Sequence, residues 1–283
     1  MDPLDDPKPH SPGRLHDRVA IVTGSSSGFG RAIAFRFSRE GAKLLCADIT
    51  PETTKAGSRD ADRAYTTHEY IVAKGGTAEF VKTDVGHESS VQALVARAVE
   101  LHGRLDIFIN NAGICPESAP DQISELIHEQ EVKVWDTTMR VNARGSYLGC
   151  KYACEQFMKQ NLLPSGDRGW IVNIGSTASL TASQVAAYDT SKGAVLQLTK
   201  TVAVSMAPYK IHCNIVCPGD ATTACYDPHV NDREAINKSI SLYPWGRFGK
   251  LTEIAGAVLF LASDDAGYVT GAVLSVDGGF VSQ

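Results

Sequence analysis

The chain has 283 residues, 43% of them hydrophobic and 21% charged, with a net charge of −5. That length allows one large domain or two small ones, with a core that needs no disulfide or metal staple. A mildly acidic chain with no basic stripe argues against nucleic acid or an anionic membrane surface as partner, and no run approaches the roughly 18 apolar residues of a membrane helix.

In chain order, residues 1–14 hold four prolines and no apolar run, and are expected to be a disordered leader rather than a signal peptide. Arg18–Thr23 reads as a short apolar strand, Gly24–Gly30 as a glycine-rich turn, and Arg31–Glu40 as a helix stopped by Gly41. Strands are expected at Lys43–Ala47, Thr77–Thr83, Leu105–Ile109, Trp170–Ile174, Ile211–Cys217 and Ala272–Val276. Between them the helical period predicts Ser90–Leu101, a long helix over Val134–Gln160, Ala186–Ala207, and a helix capped by Thr252 that runs to Ala262. Near-continuous apolar strands alternating with helices mean a parallel sheet covered on both faces. The fold class is therefore α/β, a doubly wound parallel sheet of Rossmann type, with residues 15–283 as one catalytic domain.

Long polar connections are expected at 50–76 and 115–133. Residues 224–250 form a candidate substrate lid, because ligands of such folds bind beyond the carboxyl ends of the strands. Trp135, Trp170 and Phe260 are expected in the core. The seven cysteines show no CxxC spacing and no histidines complete a zinc pattern, so free thiols in a reducing compartment are expected and no metal site. The C-terminal Val281-Ser282-Gln283 is not a peroxisomal address, and a cytoplasmic place follows by default.

Three local patterns carry chemistry. Tyr188 and Lys192, four apart on one helix face, place an ammonium beside a phenol, which would lower the phenol's ordinary pKa of about 10 toward that of a working base. Thr23-Gly24-Ser25-Ser26-Ser27-Gly28-Phe29-Gly30 lies between strand and helix, where backbone amides bind anions and glycines admit a pyrophosphate. Asp48 ends the second strand, 24 residues after Gly24, where a carboxylate accepts ribose hydroxyls and repels a 2′-phosphate. Neither Ser27 nor Ile49 supplies a compensating cation, so NAD is the expected cofactor.

With these come Asp84-Val85, Asn110-Asn111-Ala112-Gly113, Asn142 in Val-Asn-Ala-Arg-Gly, Ser176 after the fifth strand, Pro218-Gly219, and Val276-Asp277-Gly278-Gly279. In this order, from about Arg18 to Phe280, the chain resembles a short-chain dehydrogenase/reductase of the subgroup with a TGxxxGxG turn. The resemblance implies Tyr188 as catalytic acid/base and Lys192 as the partner that binds the nicotinamide ribose and depresses the tyrosine pKa. It implies Ser176 on the substrate oxygen and Asn142 holding a water that links Lys192 to solvent. Asp84 and Val85 would hold the adenine, and Asn111, Ala112 and Gly113 would line the ribose and pyrophosphate. Pro218, Gly219, Ala221 and Thr223 would embrace the nicotinamide. Gly24, Ser26, Ser27, Gly28, Phe29, Gly30, Asp48 and Ile49 complete the cofactor seat.

The implied activity is NAD(H)-dependent interconversion of a secondary alcohol and a ketone. An NADPH-dependent ketone reductase and a cofactor-bound scaffold without turnover are the alternatives. A homo-oligomer, dimer or tetramer, is implied through the Val134–Gln160 and Ala186–Ala207 helices. Three departures from the family pattern stand out. Ser176 and Tyr188 are 12 positions apart rather than the usual 13, with Ser179 as a fallback for Ser176; Thr190 stands where alanine is usual before Ser-Lys; and Asp220 follows Pro218-Gly219 where an apolar or aromatic residue is common.

Overall fold

The computed structural model describes residues 13–52, 65–118, 126–183, 185–221 and 233–283. Seven parallel strands form one sheet: β1 (Val19–Thr23), β2 (Lys43–Asp48), β3 (Thr77–Lys82), β4 (Ile107–Asn110), β5 (Gly169–Ile174), β6 (Ile211–Pro218) and β7 (Val273–Val276). Their spatial order is β3-β2-β1-β4-β5-β6-β7, so the direction of winding reverses between β1 and β4. The doubly wound parallel α/β fold expected from the sequence is what forms.

Side chains of successive strand residues point to opposite faces, and in β1, β4, β5 and β6 every residue is buried, so both faces are dry there. Ala20, Val22, Leu44, Cys46, Ile107 and Ile109 face helices α1 (Gly28–Arg39) and α8 (Leu251–Leu261), whose Ile33, Phe37, Ile254 and Val258 fill that side. Val19, Ile21, Leu45 and Phe108 face α3 (Glu88–His102) and α5 (Gly145–Met158), with Val91, Leu94, Leu148 and Phe157 against them. Helix α6 (Ala186–Met206) covers the same face beside α5. The remaining α-helices among the described residues are α2 (Thr67–Ala73), α4 (Val132–Thr138) and α7 (Arg233–Ile240).

Several local expectations change. The long helix expected over Val134–Gln160 is α4 and α5 joined by a wider π turn, Met139–Arg144, which carries Asn142. β4 begins at Ile107 rather than Leu105. The backbone of Asp106 still donates to the Val19 carbonyl and accepts the Trp170 amide, each at 2.9 Å, and its buried carboxylate also accepts the Val19 amide at 2.9 Å. Thr252 does not cap α8. That helix starts at Leu251, and the Glu253 carboxylate receives the Lys250 amide at 2.8 Å. Trp170 is in the core, but Trp135 and Phe260 are 38% and 37% exposed, because each lies on the outer side of its helix. Part of the connection 50–76 forms α2, and residues 53–64 lie outside the described set.

Phe157 is fully buried, and its ring packs against Gly169 at the start of β5. Phe157→Ala is expected to lower the free energy of unfolding by about 3–5 kcal/mol, the cost of an uncollapsed cavity. Denaturant titration measures it, and a loss below about 1 kcal/mol would contradict a close-packed α5 face.

Candidate active site

The motif residues gather at the carboxyl edge of the sheet, beside the reversal between β1 and β4. At the glycine turn, the chain must pass itself closely. A Cβ on Gly30 would stand 2.1 Å from the Gly24 carbonyl oxygen, and one on Gly24, which has φ +65°, would stand 2.8 Å from Ala112 Cα. Gly28, with φ +54°, opens α1 and faces open space, the kind of surface on which a phosphate can approach the backbone. Ser27 sits at the helix cap position, and Phe29 packs on the core beneath.

Thr23 and Asn111 join this turn to the end of β4. Thr23 Oγ1 donates to the Ile109 carbonyl at 3.0 Å and accepts the Asn111 and Ala112 amides at 3.0 and 3.1 Å. Asn111 Nδ2 donates to the carbonyls of Thr23 and Gly24 at 2.8 and 3.1 Å. The Asn111 side chain thus holds the frame.

Asp48 closes β2 beside the turn. Its carboxylate accepts the Ser26 amide at 3.0 Å and the Ile49 amide at 2.8 Å, while Ser26 Oγ donates to the Thr50 carbonyl. The Ile49 side chain is exposed. A carboxylate locked at the strand end next to an open glycine turn fits the adenosine ribose of a dinucleotide. Asp84 is engaged differently. Burial would raise its pKa, but the Gly86 amide and the Arg140 guanidinium, 3.0 Å away, outweigh burial and hold it below its ordinary value. Val85 is buried against Gly145.

Tyr188 lies in the first turn of α6 and Lys192 one turn on. Lys192 is buried, its Nζ donates to the Ile174 carbonyl at 2.9 Å, and it lies 5.5 Å from the centre of the Tyr188 ring. The Gly113 backbone borders both Lys192 and Asn142: a Cβ there would lie 3.5 Å from Lys192 Nζ and 3.4 Å from Asn142 Oδ1.

The expected depression of the tyrosine pKa is not found. Burial pushes Tyr188 up to about 12, a hydrogen bond from Ser176 opposes this, and the acidic groups of Cys115, Asp189 and Asp220 add to the rise. Burial likewise brings Lys192 down to about 8. Spacing alone suggests an ammonium helping a phenolate, but desolvation disfavours both charged forms and dominates.

Ser176 stands just beyond β5. Its Oγ accepts the Ala178 amide at 3.1 Å and remains in reach of the Tyr188 hydroxyl. Ser179, the fallback, donates to the Lys192 carbonyl at 3.0 Å and accepts the Ser176 amide at 3.3 Å, so it braces the loop. Asn142 spends its side chain on protein. Oδ1 accepts the Ile114 amide at 2.8 Å, and Nδ2 donates to the Ile114 carbonyl and to Ser191 Oγ, each at 2.9 Å. Beneath, Asn110 donates to Asn173 and Asn173 to Thr199 Oγ1, each at 2.8 Å, tying β4, β5 and α6 together.

Pro218 ends β6, and Gly219 packs against the Tyr243 ring and Asp277. Ala221 bridges to Gly249. Thr223, Cys225, Tyr226, Asn231 and Asp232 lie outside the described residues. In the described part of the expected lid, Tyr243 and Phe248 are buried and Trp245 is 70% exposed; Tyr243 packs against Gly219 and Phe280, in the chain that follows β6 and β7. Two residues the sequence left unassigned reach the site. The Asp220 charge acts on Tyr188, and Glu117 meets the first amides of α6. Asp220 was visible as a departure from the family pattern; no local signal marks Glu117 among the acidic residues of its connection.

The two burial shifts have opposite consequences for stability. Between about 8 and 10.5 the unfolded chain holds a Lys192 proton that the folded protein lacks, so stability from this group rises with pH. Between 10 and about 12 the folded protein holds a Tyr188 proton that the unfolded chain lacks, so stability falls. Urea unfolding of native protein, Lys192→Met and Tyr188→Phe across this range tests both. The native–Lys192→Met difference is expected to change by about 1–3 kcal/mol through the first window, and Tyr188→Phe to lose part of the decline above pH 10. A native–Lys192→Met difference that is flat with pH would contradict the buried, weakly basic amine.

Among proteins of known sequence, residues 24–281 match a family model described as enoyl-(acyl carrier protein) reductase. The chain is 39% identical to 2-(R)-hydroxypropyl-CoM dehydrogenase of Xanthobacter autotrophicus over 94% of its own length and 99% of the relative's. It is 36% identical to L-rhamnose 1-dehydrogenase (NAD(P)(+)) of Azotobacter vinelandii, covering 94% and 97%, and 35% identical to glucose 1-dehydrogenase 2 of Bacillus subtilis, covering 94% and 95%. With the parallel sheet and the ordered motifs, these matches make the chain an oxidoreductase that belongs to the short-chain dehydrogenase/reductase family.

Proposed function

We propose that the protein interconverts a secondary alcohol and a ketone with NAD(H), Tyr188 exchanging the hydroxyl proton. The observation that carries this reading is the meeting of Tyr188, Ser176 and Lys192 at the carboxyl end of β5 and the amino end of α6, on the border of the Gly113 backbone. The names of the relatives, dehydrogenases of hydroxypropyl-CoM, rhamnose and glucose, support the class of reaction.

A bound nicotinamide dinucleotide supplies hydride transfer at carbon. The chain's own residues position the substrate and move the proton. Ser176 Oγ can donate to a carbonyl or accept from an alcohol, and Tyr188 completes the pair on the same oxygen. With its pKa raised to about 12, Tyr188 is a proton donor near neutrality, which favours ketone reduction there and alcohol oxidation at alkaline pH. Lys192, Gly113, Pro218, Gly219, Ala221 and Thr223 would hold the nicotinamide end. Gly24, Ser26, Ser27, Gly28, Phe29, Gly30, Asn111 and Ala112 would take the pyrophosphate and ribose, and Asp84, Val85 and Ile49 the adenine. The proton relay through Asn142 belongs to this proposal, with the side chain braced as described. Residues 224–250 carry substrate choice, their buried end serving as the anchor.

Asp48 favours NAD(H) over NADP(H), since a 2′-phosphate would meet a carboxylate already fixed by two amides. We further read the protein as cytoplasmic and as a homotetramer or dimer. Cys46, Cys150, Cys154, Cys213 and Cys217 are thiols outside any disulfide, as in a reducing compartment, and no helix among the described residues is long and apolar enough to cross a membrane. Val132, Tyr147 and Val204 leave apolar surface on α4, α5 and α6.

Two substitutions test the reading. Tyr188→Phe is expected to lower turnover of a secondary alcohol at least 10²- to 10⁴-fold, as for a lost general acid/base, with dinucleotide affinity little changed; native-like turnover would remove Tyr188 from the chemistry. Asp48→Ala is expected to weaken NAD binding about ten- to a hundredfold, from loss of a charge-assisted hydrogen bond. Calorimetric titration of both dinucleotides checks it, and tighter binding of NADPH than NADH by the native protein would reverse the assignment.

A further inference from the structure

Glu117 lies in a short turn, Pro116–Ser118, in the connection that follows Gly113. Its Oε1 accepts the Ala187 amide at 3.0 Å and the Tyr188 amide at 3.3 Å. The residue is only 6% exposed, and Oε2 is buried without a hydrogen-bond partner. Helix α6 has Val185 in its cap position, which offers no side-chain acceptor, so its first amides depend on a group from elsewhere.

For stability alone this is a costly cap. A hydroxyl or amide side chain at position 185 would satisfy an amide without burying a carboxylate that has one unsatisfied oxygen. What the carboxylate adds is a tie between two segments, one bearing Gly113 and the other Tyr188. The same segments are tied a second time. Asn142 holds the Ile114 amide and carbonyl and the Ser191 hydroxyl, and Ser191 Oγ donates to the Tyr188 carbonyl at 2.7 Å. Both ends of Ile114–Glu117 are therefore fastened to the first turn of α6.

We propose that Glu117 is a positioning residue that fixes the first turn of α6, and so the Tyr188 side chain, against the Asn111–Gly113 strip. This rests on the reading of Tyr188 as the proton-exchanging group. It acts through acceptance of two amides, so a neutral acceptor of the same length should replace it.

The test compares Glu117→Ala, Glu117→Asp and Glu117→Gln in the full chain, with turnover of a secondary alcohol normalised to folded protein. NADH affinity is measured by fluorescence titration, and exchange of the Ala187 and Tyr188 amides by mass spectrometry or NMR. Tyr188→Phe runs in parallel. Glu117→Ala is expected to lower kcat about ten- to a hundredfold, the scale of a small misplacement of a reacting group, with NADH affinity within about threefold on the same ground and faster exchange at both amides. Glu117→Asp, one methylene shorter, should behave alike and covers the case in which the alanine variant does not fold. Glu117→Gln should return most of the turnover and the protection. Unchanged kcat and exchange in the alanine or aspartate variant, or a glutamine variant as impaired as alanine, overturns the proposal; so does an equal loss of NADH affinity. If Tyr188→Phe keeps native turnover, the catalytic reading of Tyr188 fails, and Glu117 as a brace of α6 is then judged on amide exchange alone.

Discussion

The hydroxyl of Thr23 and the carboxamide of Asn111 make the junction on which the rest of this site depends. Where the sheet reverses its winding between β1 and β4, no direct chain connection holds the two strand ends together. Thr23 Oγ1 serves the Ile109 carbonyl and the amides of Asn111 and Ala112, while Asn111 Nδ2 serves the carbonyls of Thr23 and Gly24. Polar groups at strand ends that would otherwise be orphaned satisfy one another. The glycine turn on one side and the Gly113 strip on the other are thereby held as one rigid rim, and the crevice between them is where ligands of open α/β sheets bind.

From that rim outward, each support couples one strand end to α6. Asn110, Asn173 and Thr199 link β4 and β5 to the helix from below. Lys192 reaches the Ile174 carbonyl, and Ser179 returns from the loop after β5 to the Lys192 carbonyl. The side chains that look most like chemistry in the sequence, Asn142 and Asn111 among them, thus spend much of their hydrogen-bonding capacity on geometry. Burial is the cost of that precision. It raises Tyr188 and lowers Lys192, so the pair is poised as a neutral phenol and a weakly basic amine.

The fold was legible because strand burial on both faces leaves long apolar runs that only a covered parallel sheet can satisfy. The candidate residues stand out in the sequence because glycines at a tight turn, an acid at a strand end and a Tyr–Lys pair one helical turn apart are local patterns. Helix and strand ends were less so. β4 starts at Ile107, two residues later than its apolar run suggests, and the π turn at Met139–Arg144 interrupts a helical period that reads as continuous. Large aromatic residues usually bury, so Trp135 and Phe260 read as core from the sequence; which side of a helix faces the sheet is set by its packing, and both lie on the outer side.

The order of strands and helices along the chain and the carboxyl-edge placement of the motifs follow from the chain read as a line of residues, since each rests on periodicity or on short spacing, and the ordered motifs carry the resemblance to the family. Partners far apart in sequence do not. Glu117 caps a helix that begins 69 residues later, Thr23 meets Asn111 across 88, and the sign of the Tyr188 shift comes from how deeply α6 is buried. A hydrogen bond between distant segments and the removal of water from a side chain exist only once the sheet has brought its edges together, and those two effects decide which of the legible residues hold the frame.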